Sequence, residues 1–424
     1  MTDIIIIGAG AAGLTAAIAA ARHGAKVKIL EHTNKAGKKI LSTGNGKCNI
    51  TNAFQDQTCY RGQEPSFAME ALKEFGVKDT LAFMESLGIL CKEKNGYYYP
   101  RSEQAVTIRE GLMMECARLG IDIQYEVNVT EIQRQQEKFL LYVNNAAKNN
   151  SDVNNPPACY ICRDLIIATG SKAAPATGSD GSGYPLAQAL GVKIVKPLPA
   201  LVQLKCEESI YSQAAGVRCG AEVTIIIEGQ EAARERGELQ ITKYGISGIV
   251  VMQLSRFAVK ALDSRKEVMA VIDFFPDICQ EELLQRLIDF TEKFSDRPLL
   301  DIMSGFMNRK LASSLLKELG VKSDRKGRTC HGAFLEDVAA GLKHFESCII
   351  GFNGFLEAQV CQGGVSVNQV CAKTMEVKEV PGLYFAGEIL DIDGTCGGYN
   401  LQFAWSSGYL AGKSAALHQR NLGI

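Results

Sequence analysis

No sign of charge dominates this sequence. Lys and Arg number 46 against 47 Asp and Glu, a net charge of -1, and there is no basic tail. A polyanionic partner needs a basic face, so no nucleic-acid partner is expected. Closely paired cysteines are also scarce. Fourteen Cys are scattered, and the sole Cys-x-x-Cys runs from Cys159 to Cys162. A structural zinc site needs a second such pair, and a disulfide framework needs an exported chain. No metal site is therefore expected, and the thiols are read as reduced, cytoplasmic and mostly packed as small apolar residues. The charge-free run from Ile4 to Ala21 imitates a membrane or signal segment. It is mostly Ala and Gly, follows Asp3 and encloses a glycine turn, so neither reading is adopted. The five histidines, His23, His32, His331, His344 and His418, sit in no catalytic arrangement. A chain of 424 residues, 46% hydrophobic and 22% charged, reads as a globular protein of two or three domains.

What is present is concentrated near the start. Ile4-Ile5-Ile6-Ile7 reads as a strand and Gly8-Ala9-Gly10-Ala11-Ala12-Gly13 as a turn. An alanine-rich helix and a second strand, Lys26 to Leu30, follow. In such a β-α-β unit Gly8 permits the tight turn, Gly10 lets backbone approach a pyrophosphate, and Gly13 lets helix pack on strand. The helix opens with free N–H groups and its positive dipole end facing the phosphates. The second strand ends at Glu31, where a carboxylate accepts hydrogen bonds from an adenosine ribose. A dinucleotide is expected here, and the acid speaks against a 2′-phosphate.

Lys38 to Asn52 is a polar loop bearing glycines and three lysines. Such a loop can offer backbone N–H groups to an anion or a flat polar ring. Apolar spacing predicts helices over Ala68–Leu87 and Thr107–Leu119. Gly96-Tyr97-Tyr98-Tyr99-Pro100-Arg101 reads as a turn and short strand. Its aromatics can line a flat ligand, although packing is their commoner use. The Asn-rich run Ala146 to Pro157 is expected to be a mobile hairpin tip. Leu165 to Gly170 reads as a buried strand ending in a small turn. From Gly191 the pattern changes. Val192–Lys205, Ala221–Glu228, Gly237–Thr242 and Glu267–Phe275 alternate like strands, with Tyr244 to Gly248 interrupting them ahead of a helix. Helix spacing governs Glu281–Gly320, and strand-like sequence resumes over Cys348–Cys361. Near the end, the strand Leu383–Ala386, the step Gly387-Glu388 and the pair Gly397-Gly398 precede a helix from about Leu401 to Leu417. This makes a second anion-facing helix start. Gly178 to Gly183 has a dinucleotide-like spacing but follows Pro175-Ala176 rather than a strand, so no second nicotinamide-binding fold is read.

Taken together, these stretches resemble a family of bacterial flavoproteins, the NAD(P)/FAD-dependent oxidoreductases with bile-acid-reductase-like and aminoacetone-oxidase-like members. The matching blocks are Gly8–Gly13, Lys39–Asn52, Tyr244–Ser255, Glu357–Val365 and above all Pro381–Gly412, and the likeness covers essentially the whole chain. Lys47 stands where many members have Arg, which keeps the charge and loses a bidentate fork. The resemblance implies an α/β fold: a glutathione-reductase-type Rossmann FAD domain (1–190 and 362–424), an inserted β-barrel-like domain (191–276 and 331–361) and a nested helical subdomain (277–330). It implies that Gly8, Gly10, Ala12 and Gly13 hold the pyrophosphate and Glu31 the ribose. Lys39, Asn45, Gly46, Cys48 and Asn49 would lie along the pyrophosphate and flavin face. Val129 would meet the adenine through its backbone, with Thr169 and Gly170 nearby and His32 packing there. Gly387 and Glu388 would face the ribityl chain. Tyr399, Asn400 and Leu401 would set a helix start at the flavin's pyrimidine edge.

The expected activity is that of an FAD-dependent oxidoreductase. Because the cofactor carries the hydride chemistry, no catalytic side chain is singled out. The first expectation is reduction of a conjugated carbonyl or steroid-like small molecule, with NADH or NADPH as transient reductant. An oxidase of a small aminoacetone-like amine is the alternative. A flavin-binding module acting on a macromolecule such as transfer RNA is the alternative of another class, and balanced charge weighs against it. Cys48 and Cys396 fall in the two loops expected at the flavin. Neither has a neighbouring thiol in sequence, so both are read as packing residues.

Overall fold

Four consecutive β-branched residues favour an extended backbone, and Ile4–Ile7 is a strand with all four side chains buried. It lies at the centre of a five-stranded parallel sheet. The order is Leu383–Phe385, Asp164–Ile167, Ile4–Ile7, Val27–Leu30, Asp122–Gln124. The computed structural model describes residues 3–145 and 158–421. The expected hairpin tip Ala146–Pro157 lies outside the described residues.

The sheet belongs to a unit made of residues 1–198 and 360–424. Its first helix, Ala11–Arg22, packs against the closing helix, Tyr399–Asn421. The approach is backbone to backbone. A Cβ added at Gly408 would stand 2.4 Å from the Ala12 carbonyl oxygen, and one at Gly412 would stand 2.0 Å from that of Ala16. An antiparallel sheet of Val127–Gln135, Lys138–Asn145 and Ala158–Cys162 joins the same unit. The helix predicted over Ala68–Leu87 is two helices, Ser66–Glu74 and Val77–Ser86. The break falls at Phe75-Gly76. There Gly76 N donates to the Asp79 carboxylate at 2.8 Å, which recaps the second helix.

Residues 199–359 form the other unit, with its own core. Six strands close into a barrel in the order Leu204–Cys206, Gly245–Ser247, Gln230–Thr242, Arg218–Ile227, Val268–Asp273, Phe345–Phe352. Helix Ile249–Asp263 contributes Val250, Val251, Leu254 and Ala258 to that core. The segment at Tyr244, read as an interruption, contains a barrel strand too short to show a period. Helices Gln280–Lys293, Leu299–Met303 and Arg309–Glu318 follow. The stretch 331–361, expected to be barrel-like throughout, opens instead with helix Ala333–Lys343, which packs on Gln280–Lys293. Its buried Leu335, Val338, Ala339 and Leu342 fall at helical spacing. Among the described residues, no helix is long and apolar enough to cross a membrane.

One ion-pair cluster fastens helix Ala105–Arg118 to the first helix. Buried Glu115 accepts from Arg118 Nε at 2.7 Å and from Arg22 Nε at 2.9 Å. Arg118 first, and Arg22 after it, hold this carboxyl down to about 2, against 4.5 for a free Glu. A depressed folded-state pKa gives stability that is present above the unfolded value and lost as pH falls toward the folded one. We expect Glu115→Gln to destabilise the protein by about 1–2 kcal/mol at neutral pH. In urea melts across pH, the deficit should shrink between about pH 4.5 and about pH 2. A deficit constant over that range would mean the carboxylate's charge is not the stabilising element.

Candidate functional site

The glycine turn and the start of the first helix form one end of the site. Gly10 is the residue before the helix and gives it no side-chain cap. Its carbonyl accepts from Leu14 N at 3.0 Å, so the N–H groups of Ala11, Ala12 and Gly13 have no partner inside the helix. A Cβ on Gly13 would fall 1.9 Å from the Gly8 oxygen, which forces the helix tight against the turn. A Cβ on Gly10 would meet nothing within 4 Å. Unspent donors, a positive dipole end and open space in front of them fit a diphosphate.

Glu31 is buried at the end of Val27–Leu30. One carboxylate oxygen accepts from Ala9 N and the other from Thr33 N, both at 2.8 Å. The carboxylate is thus fixed against the turn and keeps lone pairs for further donors. Gly178 crosses beside it: a Cβ there would lie 3.2 Å from His32 Nε2 and 3.9 Å from Glu31 Oε1. Val127 N donates to the Glu31 carbonyl at 3.0 Å, which starts the strand carrying Val129. The pairing of that strand shifts between Val129 and Glu131. On the other side, a Cβ on Gly8 would stand 3.1 Å from Thr169 Cα, so the Thr169-Gly170 loop presses on the turn. The Thr169 hydroxyl is buried and has no hydrogen-bond partner among the described residues.

Gly387 links the two ends, since a Cβ added there would stand 2.8 Å from Ala12 Cβ. Its N–H donates to Ser407 Oγ at 2.9 Å. The neighbouring Glu388 carboxylate pairs with Lys39 Nζ at 2.5 Å and accepts from Ser171 Oγ at 3.2 Å. The loop after Lys39 has an unusual backbone: Gly44, Asn45, Gly46 and Cys48 all have positive φ. Two of these are not glycine, and such strained backbone clusters where it serves binding. Asn45 and Gly46 are exposed, whereas the Cys48 side chain is fully buried. Burial pushes the Cys48 thiol up to about 12, which suppresses the thiolate that redox chemistry needs. Cys396 is half-buried.

The closing helix starts beside that loop. Gly398 O accepts from Gln402 N at 2.9 Å, which leaves the Tyr399, Asn400 and Leu401 N–H groups facing outward from the first turn. Asn49 Oδ1 is buried, has no partner among the described residues and lies 2.9 Å from where a Cβ on Gly398 would stand. The Asn400 amide is spent locally: it accepts from Gly394 N at 2.7 Å and donates to Gly394 O at 2.8 Å. The Tyr399 ring is buried edge-on to Tyr60, and burial raises its phenol pKa. Thr51 Oγ1 to Gln402 at 2.5 Å and Trp405 Nε1 to Ile50 O at 3.1 Å fasten loop to helix.

The structure therefore gathers Gly8, Gly10, Ala12, Gly13, Glu31, His32, Thr169 and Gly170 at one end. Lys39, Gly387 and Glu388 lie between. The Asn45–Asn49 loop and Tyr399–Leu401 lie at the other end. Val129 is tied to this assembly only through its strand. Thr33, Ser171, Gln402 and Ser407 hold the site but carry no motif: Thr33 acts through its backbone N–H, which any residue offers, and the other three act on segments distant in sequence.

A family model described as the HI0933-like protein Rossmann domain matches residues 2–414. The 3-dehydro-bile acid delta(4,6)-reductase of Clostridium scindens is 41% identical, over 98% of this chain and 99% of that protein. The ribosomal RNA dihydrouridine synthase of Haemophilus influenzae is 31% identical, over 96% and 97%. Its Escherichia coli counterpart is 28% identical, over 96% of each chain. With its glycine turn, Glu31 and second helix start placed as described, the chain belongs to the HI0933-like Rossmann family and is an FAD-dependent oxidoreductase.

Proposed function

We propose that this enzyme reduces a carbon–carbon double bond conjugated to a carbonyl in a steroid-like small molecule, with NADH or NADPH as the electron source. The observation that carries this reading is 41% identity, nearly end to end, to a reductase of a 3-dehydro bile acid. The dihydrouridine synthases point to the same reaction class, since uridine also offers a double bond conjugated to a carbonyl. They leave RNA as the second reading, at 31% and 28% identity. Charge favours the small molecule. Residues 277–343, which carry the helices beyond the barrel, hold eleven Lys and Arg against eleven Asp and Glu, whereas binding a phosphate backbone needs an excess of cations.

In this reading the first unit is of glutathione-reductase type, and the helices between barrel strands Val268–Asp273 and Phe345–Phe352 form a nested subdomain. The N–H groups at Gly10, Ala12 and Gly13 hold the pyrophosphate, with Gly8 shaping the turn. Glu31 accepts from the adenosine ribose, and His32, Val129, Thr169 and Gly170 line the adenine side. Gly387 and Glu388 face the ribityl chain, and Lys39, paired with Glu388, lies along the pyrophosphate and flavin face. The Asn45, Gly46, Cys48 and Asn49 loop and the Tyr399, Asn400 and Leu401 N–H groups meet the ring. When bound, FAD supplies the hydride chemistry. The helix start contributes roughly half a positive charge at the ring's pyrimidine edge, in place before the reaction.

Anaerobic mixing of the yellow protein with NADH, NADPH and small amines tests the electron source. Bleaching by a nicotinamide, followed by recolouring with a 3-keto-4-ene steroid, is expected. Bleaching by an amine alone would make the enzyme an oxidase, and recolouring by uridine-containing ribosomal RNA but no steroid would favour the second reading. Glu31→Ala should weaken FAD binding by about 2–3 kcal/mol, the worth of charge-assisted hydrogen bonds, as read by titration followed in flavin fluorescence. Cys48→Ser and Cys396→Ser proteins that bind FAD should keep most of their turnover. Loss of reoxidation by the acceptor with flavin intact would instead assign a thiol to the electron path.

A further inference from the structure

Two large aromatic side chains beside the start of the closing helix fill no core. Phe54 is 62% exposed and Tyr97 is 38% exposed. Single exposed aromatics are ordinary, but these two are built together. Strand Thr51–Asn52 pairs with Tyr97–Pro100, Asn52 opposite Tyr97, and Ala53 N donates to Gly96 O at 2.7 Å. The Asn52 side chain is buried and serves both neighbours of the strand. Its Oδ1 accepts from Phe54 N at 3.0 Å, and its Nδ2 donates to Gly397 O at 3.2 Å. The Tyr97 ring edge lies 3.2 Å from where a Cβ on Gly397 would stand. The buried Asn52 amide thus ties the Phe54 backbone to the turn that opens the closing helix, and strand pairing and ring edge bring Tyr97 to the same turn.

We propose that Phe54 and Tyr97 are substrate-binding residues. They take the flat, apolar ring system of a conjugated ketone against their faces, where aromatic packing rewards planar partners. The Tyr97 hydroxyl, the one polar group of the pair, donates a hydrogen bond to the ketone oxygen. Continuity with the Gly397-Gly398 turn puts this surface next to the helix start assigned to the ring of the cofactor. The inference rests on the conjugated-ketone reading of the substrate.

The test uses full-length holoprotein and 4-androstene-3,17-dione as probe, with binding read from perturbation of the flavin absorbance. Phe54→Ala and Tyr97→Ala should each raise the Kd by roughly 10-fold or more, and Tyr97→Phe by roughly 3- to 5-fold. FAD content and the thermal melt of these variants should match the parent protein, because neither side chain fills a core. If the parent protein binds the probe and the alanine variants bind it equally well, the pair is not a substrate site, and the substrate reading survives. If the parent protein does not bind the probe, the substrate reading fails and this inference fails with it.

Discussion

The contact on which the first unit depends is the meeting of two helix backbones from opposite ends of the chain. The carbonyls of Ala12 and Ala16 face Gly408 and Gly412 at distances that leave no room for a Cβ. Close approach without side chains lets many weak dispersion contacts form along both helices. It also brings the two helix starts into one structure. The Ala11 and Tyr399 ends of those helices, with Gly387 against Ala12 between them, become parts of a single site rather than two separate turns.

That site is made of main chain held by side chains. Glu31 fixes Ala9 and Thr33, Ser407 fixes Gly387, Asn400 fixes Gly394, and Asn52 fixes Phe54 and Gly397. Backbone N–H groups cannot be displaced by substitution, but their direction can be lost when the side chain that orients them goes. That no catalytic side chain stands out in the sequence has the same origin in the proposed reading. The protein provides position and field, which need oriented dipoles more than titrating groups.

The legible parts of the molecule were those whose signal is local. Gly8 to Gly13, the four isoleucines and Glu31 lie within one short unit, and each reports on its neighbours. Gly408 and Gly412 stand four apart on the closing helix, a local spacing that puts both on the face packed against the first helix. The helix break at Phe75-Gly76 leaves no mark in the pattern, because the apolar spacing carries on across it in nearly the same phase. The alternation of strand Val127–Gln135 breaks where its pairing shifts between Val129 and Glu131, which leaves too short a period to read. Helix Ala333–Lys343 is short and stands directly before the barrel strand Phe345–Phe352, so its period is hard to separate from the strand-like sequence that follows. Gln402 to Thr51 and Trp405 to Ile50 span more than 350 positions, and no periodic pattern encodes a contact of that kind.

The strand order has a consequence for synthesis. Leu383–Phe385 fills an edge of the parallel sheet and Tyr399–Asn421 covers the first helix, yet both leave the ribosome after the whole of residues 199–359. The barrel unit is continuous in sequence and has its own core, so it can condense while the older unit still lacks a strand and its longest helix. Domains emerging in order ordinarily fold in order. Here a segment made before the barrel is completed only after it, and its glycine turn stays without its helical cover until residues 399–421 have been made.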